Sequence, residues 1–190
     1  MQKQPIERAA LLVIDIQDSF KANPARWAAR SNPQFERNVT TLLGAWRESG
    51  LPLVFVLHND EDPFFRPGDP EVRLMDFMGR KPEEPVIAKN TRNAFTSTDL
   101  QARLDKAGVR RVVVIGISTE QCCETTTRVA ADLGYDVDFV TEATATFPIG
   151  TLSTDVIVER TEAVLRGRFA RIATVGALVE ELAEVAVSAT

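Results

Sequence analysis

Histidine and cysteine are scarce in this chain: His58 is the single histidine among 190 residues, and Cys122 and Cys123 are the two cysteines. Adjacent cysteines pair badly because the ring they would close is strained, so no structural disulfide is expected. Their spacing does not make a cysteine-based metal site either. Both therefore read as free thiols, the state that a reducing compartment maintains. A lone histidine also leaves His58 as the only imidazole that could act as a base. No apolar run approaches the roughly 20 residues needed to cross a bilayer. Basic charge is not in excess, with 22 Lys and Arg against 27 Asp and Glu, a net charge of −5. That balance argues against nucleic-acid and anionic-membrane partners, which need a basic surface to displace counterions. The first eight residues contain no secretory apolar segment, and a cytoplasmic protein is expected.

What the chain does have is the profile of a soluble globular protein, 44% apolar and 26% charged, with a length that suits one domain over 1–190. Continuous apolar runs rich in β-branched residues occur at 9–16, 51–57, 86–88, 111–117 and 137–140, and a short final one near 171–174. Strands apolar on both faces belong inside a parallel sheet covered on both sides. Helical periodicity falls between them, at about 34–49, 98–107, 119–133, 154–169 and 175–185, with Gly50 and Gly134 placed as helix stops. The alternation predicts a three-layer α/β/α sandwich around a parallel sheet. Two long Pro-containing stretches, 18–33 and 59–85, interrupt it. Each follows the carboxyl end of a strand, the edge at which open parallel sheets bind ligands.

Three polar residues break or closely follow these apolar runs. Asp15 sits inside LLVIDIQ, where a buried carboxylate is costly without a partner. Lys89 follows the 86–88 strand. Cys122 lies where GISTEQCCETTTRVAADLG passes from strand to helix. Ser118 with Gln121 has the form of a capping box, so the helix is predicted to begin near Thr119 with Cys122 in its first turn. There the helix dipole lowers a thiol's pKa, and unpaired N–H groups can hold an oxyanion. Cys123 points elsewhere on the helix and reads as a small core residue. Together the three form a chemical unit: a thiolate nucleophile, a carboxylate that exchanges its proton, and an ammonium that stabilises the charged forms. Two other readings stand beside this one, a catalytically silent ligand-binding α/β module and a redox sensor built on the Cys122–Cys123 pair.

The order of these residues resembles the isochorismatase-like cysteine hydrolase family. The resemblance rests on LLVIDIQDSF (V-x-D-x-Q-x-x-F), Lys89 in K-x-x-x-x-A-F, Gly116 to Cys122 as G-x-x-T-x-x-C, and the block from Ala130 to Val137 as A-x-x-x-G-Y-x-V. It implies about six parallel strands in a Rossmann-type sheet, an Asp15–Lys89–Cys122 triad, and a cis peptide between Ile117 and Ser118. It also implies an oxyanion hole made by the backbone amides of Ser118 and Cys122, and homo-oligomers whose neighbours can close the pocket. Retention of the cysteine favours an amide-type C–N bond cleaved through a thioester.

Nicotinamidase-type relatives hold a metal through an Asp and two histidines after the second strand. Here only His58 is present, followed by Asn59, Asp60, Glu61 and Asp62, so no metal and no cofactor are expected, and nicotinamide is disfavoured as the substrate. The partner is expected to be a small molecule. Gln17, Phe20, Phe95 and Thr119 are the candidates for contacting it, with Phe64 and Phe65 as further pocket walls. Arg66, Arg73 and Arg92 are candidates for a substrate carboxylate, against the commoner role of solvated surface arginine.

Overall fold

The computed structural model describes residues 4–188. Its sheet has six parallel strands: β1 (Ala9–Ile14), β2 (Leu53–His58), β3 (Val86–Lys89), β4 (Arg111–Ile117), β5 (Asp136–Ala145) and β6 (Arg171–Ile172), in the order β3-β2-β1-β4-β5-β6. Six helices cover it: α1 (Pro24–Ala28), α2 (Phe35–Ser49), α3 (Leu100–Lys106), α4 (Glu124–Asp132), α5 (Thr154–Leu165) and α6 (Val175–Ser188). The three-layer α/β fold predicted from the alternation is the fold observed.

The two faces of β1 explain why its sequence is apolar throughout. Leu11 and Val13 join Leu42 and Trp46 of α2 and Leu178 of α6 in one core. Leu12 and Ile14 join Leu104 of α3, Ala130 of α4 and Leu165 of α5 in the other. A strand with a core on each side leaves no position for a polar residue until it ends. The polar residues therefore gather at the strand ends: Asp15 follows β1, His58 and Lys89 close β2 and β3, and Ser118 follows β4. The chain goes from β1 outward to β2 and β3, then returns to the other side of β1 as β4. This reversal opens a crevice at the carboxyl ends of β1 and β4, and the site lies there.

Local predictions hold with three differences. β5 runs on to Ala145 because Thr144 and Ala145, polar or small, still pair with Gly116 and Ile117 after an irregularity in the ladder. The helix expected over 154–169 stops at Leu165, where Arg166 takes an extended backbone. The helix expected from Thr119 opens with a π-helical turn, Thr119–Cys123, before α4 begins. No capping box forms, since the Ser118 side chain makes no capping hydrogen bond; its carbonyl accepts the N–H groups of Gln121 and Cys123 instead.

The two long stretches brace each other over the sheet edge. The N–H groups of Asp18 and Ser19 donate to the carbonyls of Arg73 and Glu71, and Met75 donates to Ile16. Arg73 adds an ion pair to Asp18 at 2.6 Å. Among the described residues no helix is long and apolar enough to cross a membrane.

Gly116 lies opposite Ile14 in the β1–β4 register. A Cβ there would lie 2.0 Å from the Ile14 carbonyl oxygen, and its φ of 139° disfavours any L side chain. Gly116→Ala is expected to destabilise the fold by on the order of 3 kcal/mol, read as a lower urea midpoint at unchanged m-value.

Candidate active site

Asp15 ends β1 with φ 52°, a left-handed conformation that aspartate tolerates better than most residues. Its N–H still donates to Val56 at 3.0 Å, so the turn begins while the backbone is anchored to β2. The side chain is fully buried. Lys89 approaches from β3, two strands away, a gap of roughly 10 Å across the ladder, and only a long side chain can bridge it. Its Nζ lies 2.7 Å from Asp15 Oδ2 and donates toward Cys122 Sγ at 3.5 Å. Cys122 descends from the π-helical turn after β4, and the Ile117–Ser118 peptide that leads into this turn is cis. The structure thus brings Asp15, Lys89 and Cys122 together from three different strand ends.

Burial dominates the ionisation of this group. It pushes the Asp15 carboxyl above its ordinary range, against the pull of the Lys89 ammonium beside it. It pushes the Cys122 thiol up to about 12, the Asp15 charge adding to the rise and Lys89 opposing it. The lowered thiol pKa expected from the helix start is therefore not found: desolvation outweighs the dipole. Cys122 therefore rests as a thiol beside the Asp15 carboxyl. Cys123 is fully buried in the core, and burial likewise raises its thiol well above the usual value.

His58 holds the far side of Lys89. Its Nδ1 is 3.1 Å from Lys89 Nζ, and Lys89 faces it directly in the β2–β3 register. Burial first, and then Lys89, lower the His58 pKa, which keeps the ring neutral. Its Nε2 lies 3.2 Å from Asp60 Oδ2. Arg92 Nη1 stands 2.6 Å from the same Nε2 and 3.5 Å from Asp60 Oδ2.

A cavity of about 170 Å³ opens over the sulfur, with Asp15, Ser118 and Cys122 at its floor. Phe20, Phe65 and His58 form one wall, and Arg26, Asp60, Asp62, Arg92 and Gln121 surround the mouth. Phe20 meets Phe65 edge-on at 5.1 Å and stacks on Phe147 at 5.9 Å. Lys89 is 1% exposed and does not line the cavity, which it meets through Asp15, His58 and Cys122.

Three residues expected to contact a substrate do not reach the cavity. Gln17 is buried, its amide clamped to the backbone N–H and carbonyl of His58 and to Ser19 Oγ; it ties the ends of β1 and β2 together. Thr119 is buried and donates its hydroxyl to Thr144 Oγ1 at 2.9 Å, pinning the π-helical turn to β5. Phe95 stacks on Tyr135 at 6.0 Å within the core. Phe64 faces solvent, Arg66 donates to the Glu61 carbonyl, and Arg73 is held by Asp18 and Asp76. Sequence reasoning missed Arg26, Asp60, Asp62 and Gln121 at the mouth. The only signals for them were the length of the two loops and Gln121's place between Ser118 and Cys122.

Among the described residues no three His, Cys, Asp or Glu side chains are arranged to hold a metal ion, and Arg92 brings its own positive charge to His58 Nε2 and Asp60.

Comparison with known proteins adds to this geometry. The family model for the isochorismatase domain matches residues 9–182. An uncharacterised isochorismatase family protein of Bacillus subtilis, YrdC, is 31% identical over 143 residues, covering 74% of this chain and 75% of its own. Nicotinamidase 3 of Arabidopsis thaliana is 36% identical over 156 residues, covering 73% of this chain and 74% of its own. The solved structure of an isochorismatase-family protein from Chromobacterium violaceum superposes with a TM-score of 0.87 at 31% identity, covering 96% of this chain and 100% of that one.

The raised thiol pKa has a measurable consequence. At neutral pH, iodoacetamide is expected to alkylate Cys122 about tenfold or more slower than free cysteine, followed by intact mass. Asp15→Asn removes a charge that raises the thiol pKa and leaves Lys89 to stabilise the thiolate, so alkylation of that variant is expected to be faster than wild type.

Proposed function

This chain belongs to the isochorismatase family, and from that premise we propose that it is a cysteine hydrolase cleaving an amide-type C–N bond of a small molecule. The observation that carries the reading is a buried ammonium within 2.7 Å of Asp15 and 3.5 Å of the Cys122 sulfur, beneath an open cavity. The nicotinamidase of Arabidopsis supports an amide as the bond class.

In the proposed cycle Asp15 takes the Cys122 proton as the sulfur attacks the substrate carbonyl. Lys89 neighbours both groups, so the negative charge moves from carboxylate to sulfur without leaving its counter-ion. The backbone N–H groups of Ser118 and Cys122 stabilise the oxyanion. As the tetrahedral species collapses, Asp15 returns the proton to the leaving nitrogen, and ammonia or an amine departs. Water then hydrolyses the thioester, with Asp15 again accepting a proton, and restores the thiol. A redox-sensing role is less well supported, because sensor cysteines need a low pKa and exposure, and both thiols are buried and raised.

The test is a panel of small amides, ureas and carbamates assayed for ammonia release. Cys122→Ala is expected to lose turnover by on the order of 10⁴-fold, Asp15→Asn and Lys89→Met by about 10²-fold or more, and Cys123→Ala by only a few-fold. Rapid quenching should trap an acyl adduct on Cys122. Turnover surviving in Cys122→Ala, or a panel with no substrate at all, would overturn the reading.

The pH profile follows from the raised Asp15 pKa. The base must be ionised to act, so kcat/KM falls as pH drops through its pKa. Because burial raises that pKa, the acid limb is expected above the ordinary carboxylate range near 3.9, measured from initial rates in constant-ionic-strength buffers.

A further inference from the structure

Most charges around the cavity are matched. Asp15 is paired with Lys89 at 2.7 Å, and Asp60 with Arg92 at 3.5 Å and with His58. Arg26 lines the same cavity, yet among the described residues its guanidinium makes neither an ion pair nor a hydrogen bond. Its position is nonetheless built. The Arg26 N–H donates to Asn23 Oδ1 at 3.0 Å, the cap that starts α1. The guanidinium carbon lies over the Phe147 ring, 4.1 Å from its centroid. Phe147 is itself buried, stacked on Phe20 and flanked by Trp27 at 6.3 Å.

Contact with an aromatic face uses the π surface of a guanidinium and leaves its N–H edges free, the edges that bind a carboxylate in a two-pronged fashion. An arginine so held loses little further freedom when an anion arrives. Arg26 itself lines the cavity, and its aromatic support, Phe147, stacks on the cavity-lining Phe20. We propose that Arg26 is a specificity-determining residue that receives an anionic group of the substrate, so that the preferred substrates are short amido acids with an amide over Cys122 and a carboxylate on Arg26. The inference takes the identity of the amide end from the hydrolase reading. The cavity's modest size, about 170 Å³, requires both ends to belong to one short molecule. Asp62, also at the mouth and accepting the Phe64 N–H at 3.0 Å, is the opposing feature: it would favour a cationic group in the same region.

The probes are malonamate, succinamate and glutaramate, each compared with its methyl ester and with the ω-amino amide of matching length. For at least one chain length the carboxylate is expected to exceed both neutral and cationic counterparts by about 10- to 100-fold in kcat/KM. Arg26→Ala should bring that ratio close to one through KM with kcat little changed, Arg26→Lys should restore part of it, and Arg26→Glu should reverse it toward the amine. Unchanged melting temperatures would separate these effects from misfolding. Titration calorimetry with the same probes on Cys122→Ala, with and without Arg26→Ala, reads the anion site independently of turnover. Carboxylate binding that requires Arg26 supports the proposal even where no amide is cleaved and the hydrolase reading fails. No carboxylate preference at any chain length, a preference that survives Arg26→Ala, or a wild-type preference for the amine would overturn it.

Discussion

A lysine ammonium enclosed between a carboxylate and a thiol is the constraint on which the rest of this site depends. Lys89, Asp15 and Cys122 are at most 6% exposed, and isolated charges at such depth are not tolerated. Paired, they have one net-neutral arrangement with the proton on sulfur and another with it on the carboxylate. Both keep a single anion beside a single cation, so moving the proton creates no new buried charge. Removing either charged partner from a buried pair typically costs about 3–5 kcal/mol, which also makes the pair part of what holds these strand ends in place.

That pair imposes requirements on its surroundings. His58 turns its Nδ1 toward Lys89, and burial and the ammonium it faces lower its pKa. Gln17 fixes the His58 backbone on both its donor and acceptor sides. Thr119 anchors the π-helical turn to β5, and Gly116 lets β4 lie against β1 without a side chain between them. None of Gln17, Thr119 or Gly116 lines the cavity. They hold the backbones from which Asp15, Lys89 and Cys122 reach inward, where an ångström of drift would separate sulfur from carboxylate.

The aromatic wall has a different origin. Phe20 comes from the segment after β1 and Phe65 from the segment after β2, and Phe147, which follows β5, backs the wall by stacking on Phe20. These segments meet because backbone hydrogen bonds between 18–19 and 71–73 fasten the first two together. The same assembly carries Arg26 on one side and Asp60, Asp62 and Arg92 on the other, giving a small cavity with an apolar wall and a charged mouth.

Periodicity and the two-sided burial of parallel strands were readable from residue order, because a strand with a core on each face admits few polar residues. The three interruptions of that pattern, Asp15, Lys89 and Cys122, were visible for the same reason. Residue order also carried the family resemblance. It did not reveal how deeply the thiol is desolvated, and the inference of a low pKa from a helix start accordingly failed: a local dipole can be read from neighbours in sequence, whereas burial is contributed by distant segments. Gln17, Thr119 and Phe95 lie off the cavity for a related cause, since nearness in sequence to Asp15, Lys89 or Cys122 does not say which face a side chain takes. The sequence by itself determined the sheet, its order of hydrophobic elements and the chemical types at its carboxyl edge. Only the tertiary structure decided which arginine remains unpaired at the cavity and which charges cancel, because those outcomes depend on distances between loops that meet through folding alone.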